Sequence, residues 1–151
     1  MSVEQKIKEL GFELPPPPKA LGAYVQAART GNLVFTAGQL PTRDGKLICA
    51  GKVPTDVSIE EAQKAAQQAV LNGLAAISTV APLDSIRRVV RLNVFVNSAP
   101  GFIAQAQVAN GASRLLTDLF GEAGRHSRCA IGAAELPLNA PVELDLVVEL
   151  R

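Results

Sequence analysis

The sequence predicts an α+β domain in which two helices cover one face of a sheet. The chain has 151 residues, of which 48% are hydrophobic, and this is ample for one core. Its segments run in the order hairpin, helix, strand, helix and two strands, which is typical of an α+β sheet. Since both helices are expected on one face, the other face needs a cover. An oligomer would provide that cover economically.

The N-terminal residues form a separate lead-in to the domain. Ser2 followed by Gln5 has the spacing of a capping box and predicts a short helix over residues 3–10. The prolines at 15–18 then force an extended segment without backbone donors. We therefore divide the chain into a short helix with a proline-rich lead-in at 1–22 and a single domain at 23–151.

The first half of the domain contains a hairpin and the most clearly patterned helix. Strand-like runs at 23–29 and 32–37 flank a Thr-Gly-Asn turn, and Asp44-Gly45 marks another turn. Ser58 with Glu61 predicts a second capping box. The following helix has a face of mostly small residues, which indicates close approach to a sheet. These residues are Ala62, Ala66, Ala69, Val70, Gly73, Leu74 and Ile77.

The second half alternates strand, helix and strands. Residues 86–97 are rich in valine with alternating arginines and predict a long strand with one solvent-exposed face. Residues 101–120 predict a helix that is loosened at Asn110-Gly111. A polar connection leads to two terminal strands, at 128–134 and 142–150.

Composition disfavours several classes of partner. The net charge is +1 and only 4% of residues are aromatic, with no tryptophan, so a nucleic-acid partner is disfavoured. Two cysteines and one histidine cannot supply a zinc site, and we expect neither a metal nor an organic cofactor. We find no signal-peptide pattern and no membrane-spanning run. The expectation is a reduced, cytoplasmic protein.

The most informative residues are the charges in the terminal strands. Arg128 opens one strand, and Glu143 and Asp145 lie on one face of the next. A guanidinium is always ionised and grips a carboxylate through a planar fork. Arg128 could therefore form a structural ion pair with one of these carboxylates. Alternatively, it could receive a small acid while a carboxylate holds a water.

Two longer segments of the chain resemble a known family. GAYVQAARTGNLVFTAGQLP and RCAIGAAELPLNAPVELDLVVEL are similar to the reactive intermediate deaminase (Rid) family, also called L-PSP endoribonucleases. The resemblance implies a chorismate-mutase-like fold with a mixed, mainly antiparallel sheet. It also implies a homotrimer with a site in each cleft between subunits. Members of that family hydrolyse 2-imino acids to 2-keto acids and ammonia.

The resemblance assigns three catalytic residues. Arg128, eight residues before Leu136, matches the arginine that binds the substrate carboxylate. Glu143, six residues after Pro137, matches the glutamate that positions water. Tyr24 matches a tyrosine that enters the site from an adjacent subunit.

Other substrate-binding positions show departures from the family. Ala37 stands where the family has a serine, and Ala130 stands where it has a cysteine, so two polar contacts are missing. Asn110 matches the asparagine of the pocket if a gap is allowed. Extra residues precede Arg128, and His126 lies among them, where a solvated or rim position is a simpler interpretation than a general base.

Three functional hypotheses follow. In the first, the protein hydrolyses a small carboxylate-bearing imine or enamine to a keto acid. In the second, it binds small carboxylates without catalysis, as a sensor, and the losses at Ala37 and Ala130 favour this more than in a typical member. The third, cleavage of RNA, is disfavoured because the chain has one histidine and few aromatic residues.

Overall fold

The structure is a computed structural model that describes residues 1–19 and 22–151. Three short 3-10 turns, at Leu83–Ser85, Gly121–Gly124 and Pro137–Asn139, accompany the regular elements. The helices are α1 (Val3–Glu9), α2 (Ile59–Ile77) and α3 (Gln105–Phe120). The strands are β1 (Ala27–Thr30), β2 (Leu33–Thr36), β3 (Thr42–Arg43), β4 (Lys46–Leu47), β5 (Ile86–Asn97), β6 (Ser127–Ala133) and β7 (Val142–Leu150).

The main sheet has five strands in the order β1-β2-β7-β5-β6. Strands β5 and β6 are parallel, because α3 connects them by a crossover, and the other pairs are antiparallel. The sheet is therefore mixed and mainly antiparallel, as the family resemblance implies. Strands β3 and β4 form a separate small hairpin around Asp44 and Gly45, whose positive φ angles of 54° and 78° suit a tight turn.

Helix α2 packs closely on β7, as its small residues predict. A Cβ atom on Gly73 would lie 2.8 Å from Cδ1 of Leu146, so glycine allows the backbone of the helix to approach the sheet. The Ser58 hydroxyl accepts a hydrogen bond from the backbone N–H of Glu61 and caps the helix, but among the described residues the reciprocal bond of the predicted capping box is not formed. Along β7, buried residues alternate with half-buried ones, so one face of the strand lies under the helices.

Helix α3 differs from the prediction in two respects. It begins at Gln105 rather than at residue 101, and it is continuous through Asn110 and Gly111. The predicted loosening is wrong because Gly111 is needed for packing. A Cβ atom there would lie 2.6 Å from the backbone oxygen of Gln63 in α2, so the glycine permits close contact between the helices.

The first hairpin is shorter than the sequence pattern suggests. Pairing between β1 and β2 begins at Ala27, although the predicted strand begins at residue 23. Residues 24–26 lie outside the main sheet, but the carbonyl of Gln26 still accepts a hydrogen bond of 2.8 Å from the N–H of Ala37. This bond holds the chain before β1 against the segment that follows β2.

Helix α1 is part of the same packed unit. Ser2 and Gln5 form the predicted capping box, and Ile7 is fully buried. The Lys6 ammonium donates to the carbonyl of Leu119 at the end of α3, at 3.2 Å. Among the described residues, no helix is long and apolar enough to cross a membrane.

The face of the sheet opposite the helices has apolar side chains in contact with solvent. Phe35 on β2 is 43% exposed and Ile131 on β6 is 47% exposed. Phe95 and Val147 are half-buried on the same face. Exposed apolar area of this kind is typical of a surface that binds a partner, in agreement with the expectation that the second face needs a cover.

Replacing Gly111 by Ala tests the contact between α2 and α3. Intrinsic helix propensity favours alanine by about 1 kcal/mol, but the overlap with Gln63 should outweigh it. We expect a net loss of about 1–3 kcal/mol in stability, measured by denaturant unfolding at fixed protein concentration. The control is A106G, at an exposed position of the same helix, which should cost about 1 kcal/mol through propensity. A stabilised G111A variant would contradict the close contact.

Candidate functional site

Arg128 lies on the edge strand β6, on the face that the helices cover. Its register partner on β5 is Leu92, which is fully buried under the helices. Residues opposite each other in neighbouring strands point to the same side of a sheet. The Arg128 side chain therefore extends along the covered face toward α3 and is only partly buried.

Neutral acceptors hold the Arg128 guanidinium. Its Nη1 donates to Oδ1 of Asn110 at 2.8 Å and to the hydroxyl of Ser113 at 3.1 Å. Within the described residues, neither Glu143 nor Asp145 forms an ion pair with Arg128. The structural ion pair considered from the sequence is thus not present. The Nε and Nη2 donors of the fork make no hydrogen bond to the described residues, which leaves them available for an anion.

Asn110 and Ala130 lie beside this arginine. Asn110 binds it directly, and Ala130 follows two residues later on the same face of β6. The methyl group of Ala130 packs against the edge of the core. The structure thus brings together three of the predicted substrate-binding positions, namely Arg128, Asn110 and Ala130.

A second group of residues continues from Arg128 toward the polar connection. Ser113 also lies 3.0 Å from Nε2 of His126. The other ring nitrogen, Nδ1, lies 2.6 Å from the carbonyl oxygen of Gly124. His126 is half-buried and hydrogen-bonded at both nitrogens.

Glu143 lies on β7, on the open face of the sheet. Its carboxylate lies directly over Gly38, where any side chain would collide with it. Burial raises the pKa of the Glu143 carboxyl, and the charge of nearby Asp145 raises that pKa further. Within the described part of the chain, no hydrogen bond to this carboxylate forms. Its oxygens are available to a water or a ligand.

Asp145 differs from Glu143 although both lie on the same face. Its Oδ1 accepts a hydrogen bond of 2.8 Å from the side-chain amide of Asn93 on β5. This bond ties β7 to β5 across the open face. Asp145 therefore has a defined partner within the sheet, whereas Glu143 does not.

Ala37 lies next to Gly38, at the end of β2, and so belongs to the half of the site that contains Glu143. Its N–H bonds to Gln26, and its carbonyl accepts from the side chain of Gln39 at 3.1 Å. Tyr24 precedes β1 and is 55% exposed. Among the described residues, no group forms a hydrogen bond with the Tyr24 hydroxyl.

Two half-sites are therefore separated within one protomer. Arg128 is level with Leu146 of β7, because both pair with Leu92 of the intervening strand. Glu143 is three residues further along β7 and points to the opposite face. Two strand spacings and three residue steps place the two Cα atoms about 14 Å apart. A small acid cannot contact both side chains of one protomer.

A cavity formed by the described residues lies away from Arg128 and Glu143. It has a volume of about 840 Å³ and is enclosed by the N-terminal segment, the β3-β4 hairpin and α2. Neither Arg128 nor Glu143 lines it. Among the described residues, no cluster of three or more His, Cys, Asp or Glu side chains could hold a metal ion.

The structure defines an α+β protein with a mixed, mainly antiparallel sheet and an arginine on its edge strand. The sequence profile of the family described as "YjgF/chorismate_mutase-like, putative endoribonuclease" matches residues 4–150. The chain belongs to this family, as the resemblance of its two motif segments predicts.

Individual relatives are similar to this protein over most of the chain. The chain is 41% identical to protein TCP17 of Trypanosoma cruzi, over 99% of this chain and 94% of the relative. It is 29% identical to the 2-iminobutanoate/2-iminopropanoate deaminase of Dermatophagoides farinae, over 89% of this chain and 91% of the relative. The crystal structure of protein Atu1372 from Agrobacterium tumefaciens, whose function is unknown, superposes with a TM-score of 0.91 and 44% identity, over 99% of this chain and 92% of that one.

The sequence prediction missed Ser113 and the bonded state of His126. Ser113 follows Asn110 by three residues on a helix, so both side chains lie on one face, and this spacing could have indicated a shared partner. The contact between Ser113 and His126 could not be anticipated, because it depends on how the connection after α3 folds back.

Replacing Asn110 by Asp tests whether Arg128 is an available receptor. The new carboxylate would lie where Oδ1 of Asn110 now accepts from Nη1, and an internal ion pair would form. We expect the affinity for 2-ketobutyrate to fall by about tenfold or more, the scale of a lost charge-assisted hydrogen bond. The measurement is thermal stabilisation as a function of ligand concentration. N32D, which adds the same charge in the β1-β2 turn, should bind normally, and equal weakening in both variants would rule out a local effect.

Proposed function

We propose that this protein hydrolyses small reactive imine or enamine acids to 2-keto acids and ammonia, at clefts between subunits. The observation that carries the proposal is Arg128, whose guanidinium is held by neutral oxygens and keeps its fork open toward an anion. A relative that carries the name 2-iminobutanoate/2-iminopropanoate deaminase supports the same reaction class.

In the binding step, Arg128 grips the carboxylate of the imino acid through Nε and Nη2. This contact places the adjacent C=N carbon at a defined distance from Arg128. The positive charge of the guanidinium withdraws electron density from that carbon. Asn110 and Ser113 keep the guanidinium in place without neutralising its charge.

In the chemical step, Glu143 orients a water molecule toward the C=N carbon. Water adds its oxygen to carbon, and its protons pass to nitrogen through Glu143 or solvent. The tetrahedral carbinolamine then releases ammonia and leaves the keto group. An imine is already electrophilic, so orientation and proton transfer supply the acceleration and no cofactor is needed.

The two half-sites meet only if subunits assemble. In the proposed homotrimer, the open face of the sheet with Phe35 and Ile131 is covered by other subunits. Arg128 of one protomer then faces Glu143 and Tyr24 of the next. This arrangement explains why one protomer holds the receptor and the water-binding carboxylate about 14 Å apart on opposite faces.

Binding without catalysis is a second candidate function. Ala37 and Ala130 carry no polar group beside the two half-sites, so fewer contacts are available to stabilise a transition state. Hydrolysis is measured on imino acids generated by an amino acid oxidase. Stabilisation by 2-keto acids that requires Arg128, together with hydrolysis no faster than in solvent, would favour the binding function.

Replacing Glu143 by Gln should lower kcat by about 100-fold, the scale of a lost proton-transfer group. The matched control is D145N, which keeps the acceptor for Asn93 and removes a charge two residues away. D145N should retain most of the turnover, and its acid limb should move to lower pH because Asp145 no longer raises the pKa of Glu143. The measurement is kcat/KM as a function of pH. Equal losses in both variants would contradict the assignment of Glu143.

The E143Q substitution should also increase the stability of the folded protein at neutral pH. Burial raises the pKa of Glu143 in the folded state, so ionisation is easier in the unfolded chain. The resulting destabilisation is present above the raised folded pKa and disappears at pH values below the unfolded pKa. E143Q should therefore melt at a higher temperature than the wild type at pH 7. The two should converge when the pH is low enough to protonate Glu143 in both states.

Complementation between inactive subunits tests the shared site. R128A and E143Q, carrying different affinity tags, are coexpressed and the mixed oligomers are purified. In a purified mixed trimer of either composition, one of the three clefts combines an intact Arg128 with an intact Glu143, so about a third of wild-type activity should return. Oligomers of either variant alone are the control. Mixed oligomers without activity would show that the site does not combine these residues from different subunits.

A further inference from the structure

We propose that His126 is a positioning residue that acts through Ser113 to hold Arg128 as a carboxylate receptor. The inference rests on the proposed function, because it concerns the arginine of that site. It assigns a role to the connection between α3 and β6, which the resemblance marks as carrying extra residues.

For a neutral imidazole, the hydrogen bonds that link Gly124, His126, Ser113 and Arg128 have one consistent direction. The carbonyl of Gly124 can only accept, so Nδ1 of His126 must donate to it across 2.6 Å. In the neutral ring Nε2 then has a free lone pair and accepts from the Ser113 hydroxyl across 3.0 Å. The Ser113 oxygen in turn accepts from Nη1 of Arg128 across 3.1 Å. Each group thus sets the orientation of the next.

Ser113 and Arg128 could each adopt other orientations, and these hydrogen bonds restrict them. A serine inside a helix can turn its hydroxyl to a backbone carbonyl of the preceding turn. When Ser113 instead donates to His126, its lone pairs point outward to Arg128. Arginine has several rotatable bonds, so a second acceptor beside Asn110 reduces the number of orientations that the guanidinium can adopt.

The contact of Nδ1 with Gly124 connects this orientation to the backbone. Gly124 is buried at the end of a 3-10 turn, and a side chain there would collide with the last turn of α3. The imidazole is therefore bonded to a buried backbone position that packs against α3. Gly124 lies four residues before Arg128 in the sequence, and the bond between Ser113 and His126 connects the imidazole to α3.

The tautomer of His126 can be observed directly because the chain has one histidine. Long-range nitrogen-15 NMR correlation of the wild-type protein, recorded at a pH where the ring is neutral, should show the proton on Nδ1 and none on Nε2. S113A should shift the Nε2 resonance, since that nitrogen loses its donor. A ring with the proton on Nε2 would overturn the proposed direction of the hydrogen bonds.

The functional role is tested by a double-mutant cycle. H126A and S113A should each raise the KM for an imino acid and the Kd for 2-ketobutyrate by about three- to tenfold, the scale of one hydrogen bond, with a smaller effect on kcat. The double variant should be no weaker than S113A alone. H126Q, whose side-chain oxygen can accept from Ser113, should recover part of the affinity. R125A, which removes an exposed ion pair with Glu122, should bind as the wild type does.

The outcomes separate the two proposals. If the wild type turns over imino acids and H126A has unchanged KM and Kd, the positioning role is wrong and the proposed function stands. If the wild type binds 2-ketobutyrate without turnover and H126A weakens that binding, the positioning role stands and the deaminase function is lost. Additive effects of S113A and H126A would also contradict the positioning role, because His126 would then act by another route.

Discussion

The alternation of side chains across the central strands is the constraint on which the rest of this structure depends. In β7, Leu144 and Leu146 pack under the helices, and Glu143 and Asp145 therefore point to the opposite face. The helices can cover only one face because α2 and α3 pack side by side on it. The second face keeps its exposed apolar side chains, and in the proposed homotrimer other subunits cover it. A site that needs both faces is then a property of an assembly.

The way in which Arg128 is held explains how a charge can remain available on a packed surface. Asn110 and Ser113 satisfy one nitrogen of the guanidinium with neutral oxygens. A carboxylate in their place would neutralise the charge, and an incoming acid would have to displace it. Glu143 also has unused hydrogen-bonding atoms. It is half-buried, its pKa is raised, and it forms no hydrogen bond among the described residues. Both half-sites are thus partly desolvated and incompletely satisfied, as functional groups often are.

Local patterns predicted the types and order of the elements well. Capping residues at Ser2 and Ser58, the small face of α2 and the valine-rich pattern of β5 each have a local cause, so they can be recognised without the fold. The prediction failed at Asn110-Gly111 because helix propensity counts the cost of glycine and omits its benefit at a helix contact. It also extended the first hairpin too far, since the regular pairing of β1 with β2 begins only at Ala27.

The sequence by itself determined the family, the two helices on one face and the identity of Arg128 and Glu143 as candidate residues, because these depend on residue type and spacing. Only the tertiary structure decided that Arg128 is bound by Asn110 and Ser113 rather than by a carboxylate, and that Glu143 lies on the other face. Strand order and register set those relations, and they bring together residues from distant segments. For the same reason, only the tertiary structure decided that His126 bonds to Ser113, because this contact depends on how the connection after α3 folds back toward that helix.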